Sequence, residues 1–340
     1  MAMAMKYAKD QPQGFTNRIE KIAIVGASGQ IGSVLTEYLL KNGKHVLTVI
    51  TRPGSTKRFP QGLKVVRVNY NGGDDTELVD ALRGQQALVV SMSVHAPRDS
   101  VSKLIRAAAK AGVPYILPNW FGHDAANDKL CEDSMLKATR DSITSQIKSL
   151  GVSSYVLLVC SFWYEFSLGG GPDRFGFGFN KRTFIEFGDG TVPIHTSTWP
   201  QCGRAVASLL SLKELPEDET DTSPTLSQFR NGCVYVSSFH LAQRDMFESV
   251  KRVTGTADAD WAITHESAEE RWDHGRAALQ EGNWKLFTKM LYSRMFFPNG
   301  DGDYRGDLHN ELLGLPVEDL DQATAVGIQM GESGKVPFSH

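Results

Sequence analysis

The chain has few of the features that specialised protein classes require. It contains only four cysteines in 340 residues, with no C-x-x-C pair and no histidine at metal-ligand spacing. This pattern indicates neither a disulfide scaffold nor a metal site, and it fits a reducing compartment. Long hydrophobic runs are also absent, since no uncharged apolar segment reaches the roughly 18 residues that a membrane-spanning helix needs. The composition therefore predicts no membrane partner.

An excess of charge of one sign is missing as well. The formal net charge is −3 and basic and acidic residues are mixed along the chain, which offers no basic field for nucleic acid. Residues 1–17 are polar and contain no apolar signal-peptide core. We therefore expect a cytoplasmic protein with a disordered leader over residues 1–18 and a tail over residues 331–340.

The most informative stretch is a glycine-rich turn near the N-terminus. Apolar residues 22–25 lead to Gly26, glycines recur at Gly29 and Gly32, and residues 34–40 continue with helical periodicity. This order predicts a strand, a tight turn and a helix. Gly26 suits a turn with positive φ, Gly29 lets a pyrophosphate approach the backbone, and Gly32 permits close packing of the helix on the strand.

Such a turn is typical of a dinucleotide site, because the start of the helix offers N–H groups to phosphate. The predicted phosphate contacts include Ser28, Gln30 and Ile31. A glycine-rich turn in an unrelated α/β unit is the alternative. The surrounding strand and helix favour the dinucleotide interpretation.

The residues after the second predicted strand indicate which dinucleotide binds. An NAD site usually has an acidic residue at this strand end, whereas this chain has Arg52, Ser55 and Lys57. These side chains suit a ribose 2′-phosphate and predict NADP as the cofactor; a solvated basic loop is the alternative. Ser91, Met92 and Ser93 end the fourth predicted strand, where they either lie beside the nicotinamide ribose or form a plain loop.

Four passages resemble the isoflavone reductase-like, NmrA-like family, and in particular its fungal CipA-type members. They are G-A-S-G-Q-I-G, T-R-P-G, A-G-V-P-Y-I-L-P-N-W-F-G and G-V-S-S-Y-V-L-L-V-C-S-F. The resemblance covers residues 20–330. It implies monomeric or dimeric NADPH-dependent reductases of aromatic or quinone-like small molecules, several of them in secondary metabolism, with a minority of NADP(H)-binding regulators. We expect a Rossmann-type doubly wound parallel sheet over residues 19–160, in strand order 3-2-1-4-5-6, and a smaller α+β substrate domain mainly over residues 161–330.

The resemblance also implies a catalytic lysine on the helix that precedes Gly151. Counting back eleven residues, as the family spacing requires, reaches Arg140 instead, and Lys137 lies one turn earlier. An arginine stays protonated, so it can stabilise an oxyanion but cannot exchange a proton. For both residues, a surface cation is the alternative. No tyrosine is followed four positions later by lysine, so the Y-x-x-x-K arrangement is absent.

Two aromatic passages predict the substrate pocket. Asn119 and Phe162 are further predicted cofactor contacts, and by the resemblance residues 161–166 pass the nicotinamide and enter the substrate cleft. The candidate substrate contacts are Trp120, Phe121, Trp163, Tyr164 and Phe166. The glycine- and phenylalanine-rich residues 169–179 form either a mobile lid over an apolar ligand or an ordered loop. Scattered histidines are interpreted as surface or cap residues. The leading function is an NADPH-dependent reductase, with a regulator without turnover or a non-redox isomerase or cyclase as alternatives.

Overall fold

The computed structural model describes residues 6–70, 74–93, 96–97, 99–304, 306 and 308–334. In chain order the strands are β1 (Lys21–Val25), β2 (Val46–Thr51), β3 (Lys64–Arg67), β4 (Ala87–Val90), β5 (Tyr115–Leu117), β6 (Phe121–Gly122), β7 (Ser154–Val159), β8 (Phe162–Trp163), β9 (Phe177–Gly178), β10 (Thr183–Phe187), β11 (Ile194–Ser197), β12 (Gly232–Tyr235), β13 (Phe239–Leu241) and β14 (Ala262–Glu266). The helices are α1 (Gln30–Asn42), α2 (Thr76–Leu82), α3 (Ser100–Ala111), α4 (Asp128–Asp133), α5 (Lys137–Leu150), α6 (Tyr164–Leu168), α7 (Trp199–Leu210), α8 (Gln243–Thr254), α9 (Ala268–Gln280), α10 (Phe287–Met295) and α11 (Leu320–Ser333).

A parallel sheet of eight strands forms the centre of the molecule. Its order is β12-β7-β5-β4-β1-β2-β3, with the short β6 also paired to β7. The strand β1 lies between β2, where Lys21 is opposite Val46, and β4, where Ile22 is opposite Ala87. The predicted doubly wound Rossmann-type sheet and its strand order are confirmed, with β12 added beyond the sixth predicted strand.

Both faces of this sheet are buried, as the apolar strands require. In β1, Ile22 and Ile24 point to the face covered by α1 and α7, whereas Ala23 and Val25 point to the face covered by α2, α3 and α5. Successive strand residues alternate between faces, so a strand buried on both sides must be apolar throughout. The four consecutive apolar residues before Gly26 follow from this requirement.

The later part of the chain builds two three-stranded sheets around an aromatic core. One sheet has the order β13-β11-β8 and the other β14-β10-β9. The core between these sheets and α6, α8, α10 and α11 is rich in phenylalanine. Among the residues that the structure describes, no helix has both the length and the apolar character needed to cross a bilayer.

The N-terminal leader differs from its prediction. The main-chain N–H of Ala8 donates to Pro216 O at 2.8 Å, the Lys9 ammonium donates to Glu219 at 2.7 Å, and Asn17 Nδ2 donates to Leu215 O at 2.9 Å. Residues 6–18 are therefore attached to the acidic loop that follows α7 rather than disordered, because that loop supplies their polar partners. At the other end, α11 extends to Ser333, and residues 335–340 of the predicted tail lie outside the described residues.

Residues 169–179 form an ordered loop. The side chains of Phe175 and Phe177 are fully buried in the aromatic core, and the ring of Phe177 stacks on Phe184 at 4.7 Å between centroids. Gly176 has a φ of +90° and a Cβ there would lie 2.2 Å from Ile185 O, so the glycine is needed for close packing. Of the two interpretations of this loop, the ordered one agrees with the structure, because its phenylalanines fill the core.

Candidate cofactor and substrate site

The glycine turn between β1 and α1 has the conformation that its sequence predicts. Gly26 has a φ of +86°, and a Cβ on it would lie 2.1 Å from Ser91 O; a Cβ on Gly32 would lie 2.1 Å from Gly26 O. These two glycines let β1, β4 and α1 pack against one another. Gly29 forms the N-cap of α1 without a side-chain hydrogen bond at the cap. The start of α1 can therefore receive an anionic ligand.

A cavity of about 320 Å³ opens beside this turn. Its walls are the glycine turn, the end of β2 with the loop that follows, and the end of β4. The lining residues are Gly26, Ala27, Ser28, Gly29, Val49, Ile50, Thr51, Arg52, Ser55, Lys57, Phe59, Tyr70, Ser91, Met92, Ser93, Ala96 and Pro97. The structure thus brings together nine of the residues predicted for the cofactor, whereas Gln30, Ile31 and Gly32 continue into α1.

The charge of this cavity has one sign. Arg52 and Lys57 line it together with the Ser55 side chain, and no aspartate or glutamate is among its described lining residues. A carboxylate at the end of β2 would bind a ribose 2′-hydroxyl and repel a 2′-phosphate. The described lining has the opposite character, which suits a phosphorylated ribose.

Two predicted cofactor contacts also have hydrogen-bond partners within the protein. Ser91 Oγ donates to Val25 O at 3.1 Å and is buried beneath the glycine turn. Asn119 Nδ2 donates to Met92 O at 3.0 Å. The Ser91 bond joins the end of β4 to the end of β1, and the Asn119 bond joins the segment after β5 to the end of β4. The two residues therefore shape the edge of the sheet on which a cofactor would rest.

The guanidinium of Arg140 is bound by protein acceptors. Its Nε donates to Asp141 Oδ1 at 2.8 Å, and its Nη2 donates to Asp128 Oδ1 and Asp141 Oδ1, both at 2.6 Å. Its Nη1 donates to Ala125 O at 2.6 Å and contacts Cys131 Sγ at 3.7 Å. All five guanidinium N–H groups are thereby directed to protein atoms. The predicted oxyanion role is not supported, because Arg140 instead fastens the α4 region to α5.

Lys137 is a better candidate for a functional cation. It begins α5, and its Nζ lies 2.8 Å from Asp141 Oδ2 and 3.8 Å from Asp128 Oδ1. The hydrogen bond with Asp141 raises the pKa of Lys137 above its ordinary value. Lys137 therefore stays charged at neutral pH. Its side chain is 37 % exposed, so the ammonium group is also accessible. Helix α5 leads into β7, which puts its first turn at the carboxyl edge of the sheet.

Several of the predicted aromatic contacts are core residues. Trp120 is buried with its Nε1 donating to His123 O at 2.9 Å, and Tyr164 is fully buried with its hydroxyl 2.7 Å from Thr324 Oγ1. The ring of Phe162 stacks on Tyr292 at 4.0 Å between centroids. Phe121 is partly buried against the core on the α1 face. The prediction that Tyr164 contacts substrate is wrong, because its ring is fully enclosed by the core. The rings of Trp120 and Phe162 pack against protein neighbours, and their predicted ligand contacts stay predictions.

The remaining two aromatics join a third in what we call the aromatic cluster, formed by Trp163, Phe166 and Trp199. Their ring centroids lie 5.6 to 6.1 Å apart. Helices α1 and α7 run side by side in the same direction, since Arg204 reaches Tyr38 and, farther along both helices, Ser211 reaches Asn42. Trp199 begins α7 and therefore lies at the same end of the sheet as the glycine turn.

Unpaired polar atoms gather at this edge of the sheet. Among the described residues, buried side-chain polar atoms of Gln30, Ser161, Trp163 and Trp199 have no hydrogen-bond partner within the protein. Ser161 follows the end of β7, has a φ of +54° and is fully buried. Buried polar groups are nearly always paired, so donors and acceptors left open at a sheet edge are available to a ligand or to water. The edge therefore fits a dinucleotide and an adjoining substrate.

Glu165 adds a buried carboxyl beside the aromatic cluster. Its Oε2 accepts a bond from the main-chain N–H of Trp199 at 3.3 Å. Burial raises the pKa of Glu165 to about 7. A carboxyl that changes charge near neutral pH is able to give or take a proton under physiological conditions.

The histidines occupy positions that sequence spacing did not reveal. His123 is buried with its Nε2 2.9 Å from Ser134 Oγ, and burial lowers the pKa of His123 to about 4. His195 and His240 lie opposite each other on β11 and β13, beside Asp303. The prediction of surface histidines is wrong for His123 and His195, because the strand pairing and the core enclose them.

Together, the sheet, the glycine turn and the basic cavity define a Rossmann-type nucleotide-binding protein. Residues 26–141 match the sequence model of an NAD(P)H-binding family. The chain is 24 % identical over 312 residues to oxidoreductase aprR of Aspergillus flavus, covering 90 % of this chain and 97 % of that protein. It is 25 % identical over 325 residues to oxidoreductase poxI of Penicillium oxalicum, covering 91 % and 94 % of the two chains.

Among solved structures, the fold is similar to that of AtPrR2 with NADP+ and (+)pinoresinol, with a TM-score of 0.70 and 19 % identity over 92 % of this chain and 100 % of that chain. A crystal structure of isoflavone reductase has likewise the same overall fold. The chain therefore carries an NAD(P)H-binding domain and has the fold of the isoflavone reductase-like proteins. The predicted resemblance and the predicted nicotinamide dinucleotide are confirmed at this level.

Proposed function

We propose that the protein is an NADPH-dependent reductase of an apolar, aromatic or polyketide-like small molecule, acting in secondary metabolism. The observation that carries the cofactor choice is the cavity beside the glycine turn, where Arg52, Ser55 and Lys57 replace the usual carboxylate. A guanidinium and an ammonium group bind a 2′-phosphate through charge-assisted hydrogen bonds. NADH has no 2′-phosphate and would not form these bonds, so NADPH would be the tighter ligand.

The aromatic cluster supports the substrate class. Trp163 and Phe166 are partly exposed, and the indole nitrogens of Trp163 and Trp199 are donors without partners. Flat rings stack on such surfaces, and a carbonyl or phenol oxygen of the substrate would accept the indole N–H bonds. We accordingly assign nucleotide binding to residues 19–160 and most substrate contacts to residues 161–330. Both aprR and poxI are described as oxidoreductases, which agrees with this assignment.

The protein's part in the reaction is orientation and charge. Bound NADPH supplies a hydride to the substrate. The residues at the ends of β4 and β7 hold the reacting groups at the edge of the sheet, and Lys137 places a positive charge at the first turn of α5. A cation near a developing oxyanion stabilises it more in the transition state than in the ground state. Glu165, with its pKa raised to about 7 by burial, is a candidate for exchanging a proton beside the aromatic cluster.

A panel assay tests this proposal. Aromatic ketones, enones and quinones are mixed with NADPH and protein, and the absorbance of the reduced nicotinamide is followed. We expect substrate-dependent loss of absorbance, and Trp163→Leu should raise KM while leaving NADPH affinity unchanged. Trp284→Leu is the matched control, because Trp284 is 63 % exposed and belongs to a different surface. Absence of turnover across the panel, with NADPH still bound, would contradict the reductase proposal.

One observation favours a second candidate, an NADP(H)-binding regulator without turnover. The position where the family resemblance implies a catalytic lysine is Arg140, whose donors are all directed to protein atoms. A protein of this kind would bind NADPH and NADP+ with different affinities and change its association with a partner. The panel assay separates the two candidates, since only the reductase consumes NADPH.

A further inference from the structure

Two histidines and an aspartate from three separate segments meet on one side of β11 and β13. His195 and His240 are directly opposite in the antiparallel register, which puts both side chains on the same face. Asp303 follows α10, and its carboxylate lies 3.5 Å from His195 Nε2 and 3.2 Å from His240 Nε2. The site is distinct from the nucleotide cavity, with which it shares no lining residue.

Asp303 is held in place on both sides. Immediately before it, Gly302 O accepts the main-chain N–H of His195 at 2.9 Å. Immediately after it, the hydroxyl of Tyr304 donates to Val236 O at 3.3 Å, and the Tyr304 ring stacks on His195 at 4.3 Å between centroids. The carboxylate is therefore brought to the histidines by main-chain and ring contacts that do not involve its own oxygens.

A hydrogen bond behind His195 orients its ring. Ser237 Oγ lies 2.7 Å from Phe239 O, 3.2 Å from Thr196 O and 2.9 Å from His195 Nδ1. Because its single proton goes to one of the two carbonyls, we assign the proton of the His195 bond to Nδ1, which leaves Nε2 facing Asp303 and His240. A metal-binding histidine usually donates a hydrogen bond from its other ring nitrogen in this way, because the bond fixes the tautomer and raises the basicity of the nitrogen that binds the metal.

We propose that His195, His240 and Asp303 bind a divalent transition-metal ion of the zinc class. Their three ligand atoms all lie within 4.8 Å of one another. Two ligands of a tetrahedral zinc ion stand roughly 3.4 Å apart, which matches both histidine–aspartate separations and requires a small rotation of His240 toward His195. Two imidazoles and a carboxylate suit zinc-like ions better than calcium or magnesium, which prefer oxygen ligands.

The surroundings allow the ion to enter. The side chains of His240 and Asp303 are 23 % and 20 % exposed, whereas His195 is buried. Three protein ligands leave a fourth position for water. One ion would tie the segment after α10 to β11 and β13, and the bound state would be more stable than the metal-free state by mass action.

Metal binding is measured on tag-free full-length protein after dialysis against EDTA. Titration with Co²⁺ should give one ion per chain with visible d–d absorption, Zn²⁺ should displace it, and Zn²⁺ should raise the thermal midpoint. Asp303→Asn and His240→Gln should each weaken Co²⁺ binding at least about tenfold. His274→Gln, at an exposed position on α9, should bind like the unmutated protein.

Two results would overturn the proposal. One is an unmutated protein that takes up no Co²⁺ or Zn²⁺ in stoichiometric amount. The other is an Asp303→Asn variant that binds Co²⁺ as tightly as the unmutated chain. NADPH affinity, measured on every variant, reports that the fold is intact, so this test stands apart from the outcome of the reductase assay.

Discussion

Replacing Glu165 by glutamine should make the stability of the protein less dependent on pH. Burial raises the pKa of this carboxyl to about 7, while in the unfolded chain it returns to its ordinary value near 4.5. The folded state therefore holds the proton between these two pH values and the unfolded state releases it. Stability from this group is fully present below about pH 4.5 and is lost as pH rises through about 7.

The size of the effect follows from the two pKa values. At about 1.4 kcal/mol per pH unit, ionisation of Glu165 costs the folded state roughly 3 kcal/mol at high pH. Glutamine keeps an oxygen that can accept the Trp199 N–H bond and carries no charge. Glu165→Gln should thus match the unmutated protein near pH 4.5 and exceed its unfolding free energy by about 2 to 3 kcal/mol near pH 8.5.

Urea unfolding at a series of pH values measures this difference. The exposed Glu281→Gln is the matched control, and its effect should stay within about 0.5 kcal/mol at every pH. A difference between Glu165→Gln and the unmutated protein that does not change with pH would refute the reasoning. So would a difference of the opposite sign at high pH.

Two further predictions concern the cofactor cavity and α5. Arg52→Ala should weaken NADPH binding by about 1.5 to 3 kcal/mol and leave NADH binding nearly unchanged, since a charged hydrogen bond to the 2′-phosphate is lost. Calorimetry with both cofactors checks this. The control Arg58→Ala, outside the cavity lining, should keep the preference for NADPH over NADH. Lys137→Ala should lower turnover by about 10²- to 10³-fold with little change in the free energy of unfolding. Arg140→Ala should instead lower the free energy of unfolding by about 1 to 3 kcal/mol, because two carboxylates and a carbonyl lose their donor. Turnover and urea unfolding of both variants decide between these roles, and equal effects on stability would contradict them.

The nucleotide-binding half could be predicted from the sequence because its information is local. Four apolar residues before Gly26 report a strand buried on both faces. The glycine at position 32 indicates that α1 packs closely on β1. The structure agrees, because a Cβ on Gly32 would collide with Gly26 O. The absence of an acidic residue near Arg52 is likewise a local feature. Short-range steric and charge requirements of this kind leave a direct trace in the chain.

The substrate half was harder because aromatic residues do not reveal which way they face. In the run from Phe162 to Phe166, Tyr164 turns into the core toward Thr324, while Trp163 remains at the edge of the sheet. The choice depends on α11, a distant helix that packs on α6 and that was not predicted. Its signals were the N-cap residue Asp319, whose side chain accepts from Gln322 N, and a buried face that includes Ile328.

The His195, His240 and Asp303 cluster had no sequence signal at all. Its members are neighbours only because β11 and β13 pair in one register and because the segment after α10 returns to β11. Spacing rules detect ligands on one helix or one turn. They do not detect ligands that a strand pair brings together. Arg140 illustrates the converse, since the family spacing identified its position but its acidic neighbours determine what it does.

The central claim, hydride transfer from NADPH to a bound aromatic substrate, is tested most directly by following the hydride itself. NADPH carrying deuterium at the transferable position of the nicotinamide is incubated with the protein and a substrate from the panel, and the product is analysed by mass spectrometry and NMR. The account predicts that deuterium appears at a single carbon of the product, and that none is transferred in a reaction without protein. The account would be contradicted by a product that lacks deuterium with NADPH labelled on either face of the nicotinamide. It would also be contradicted by NADPH that binds and is never consumed.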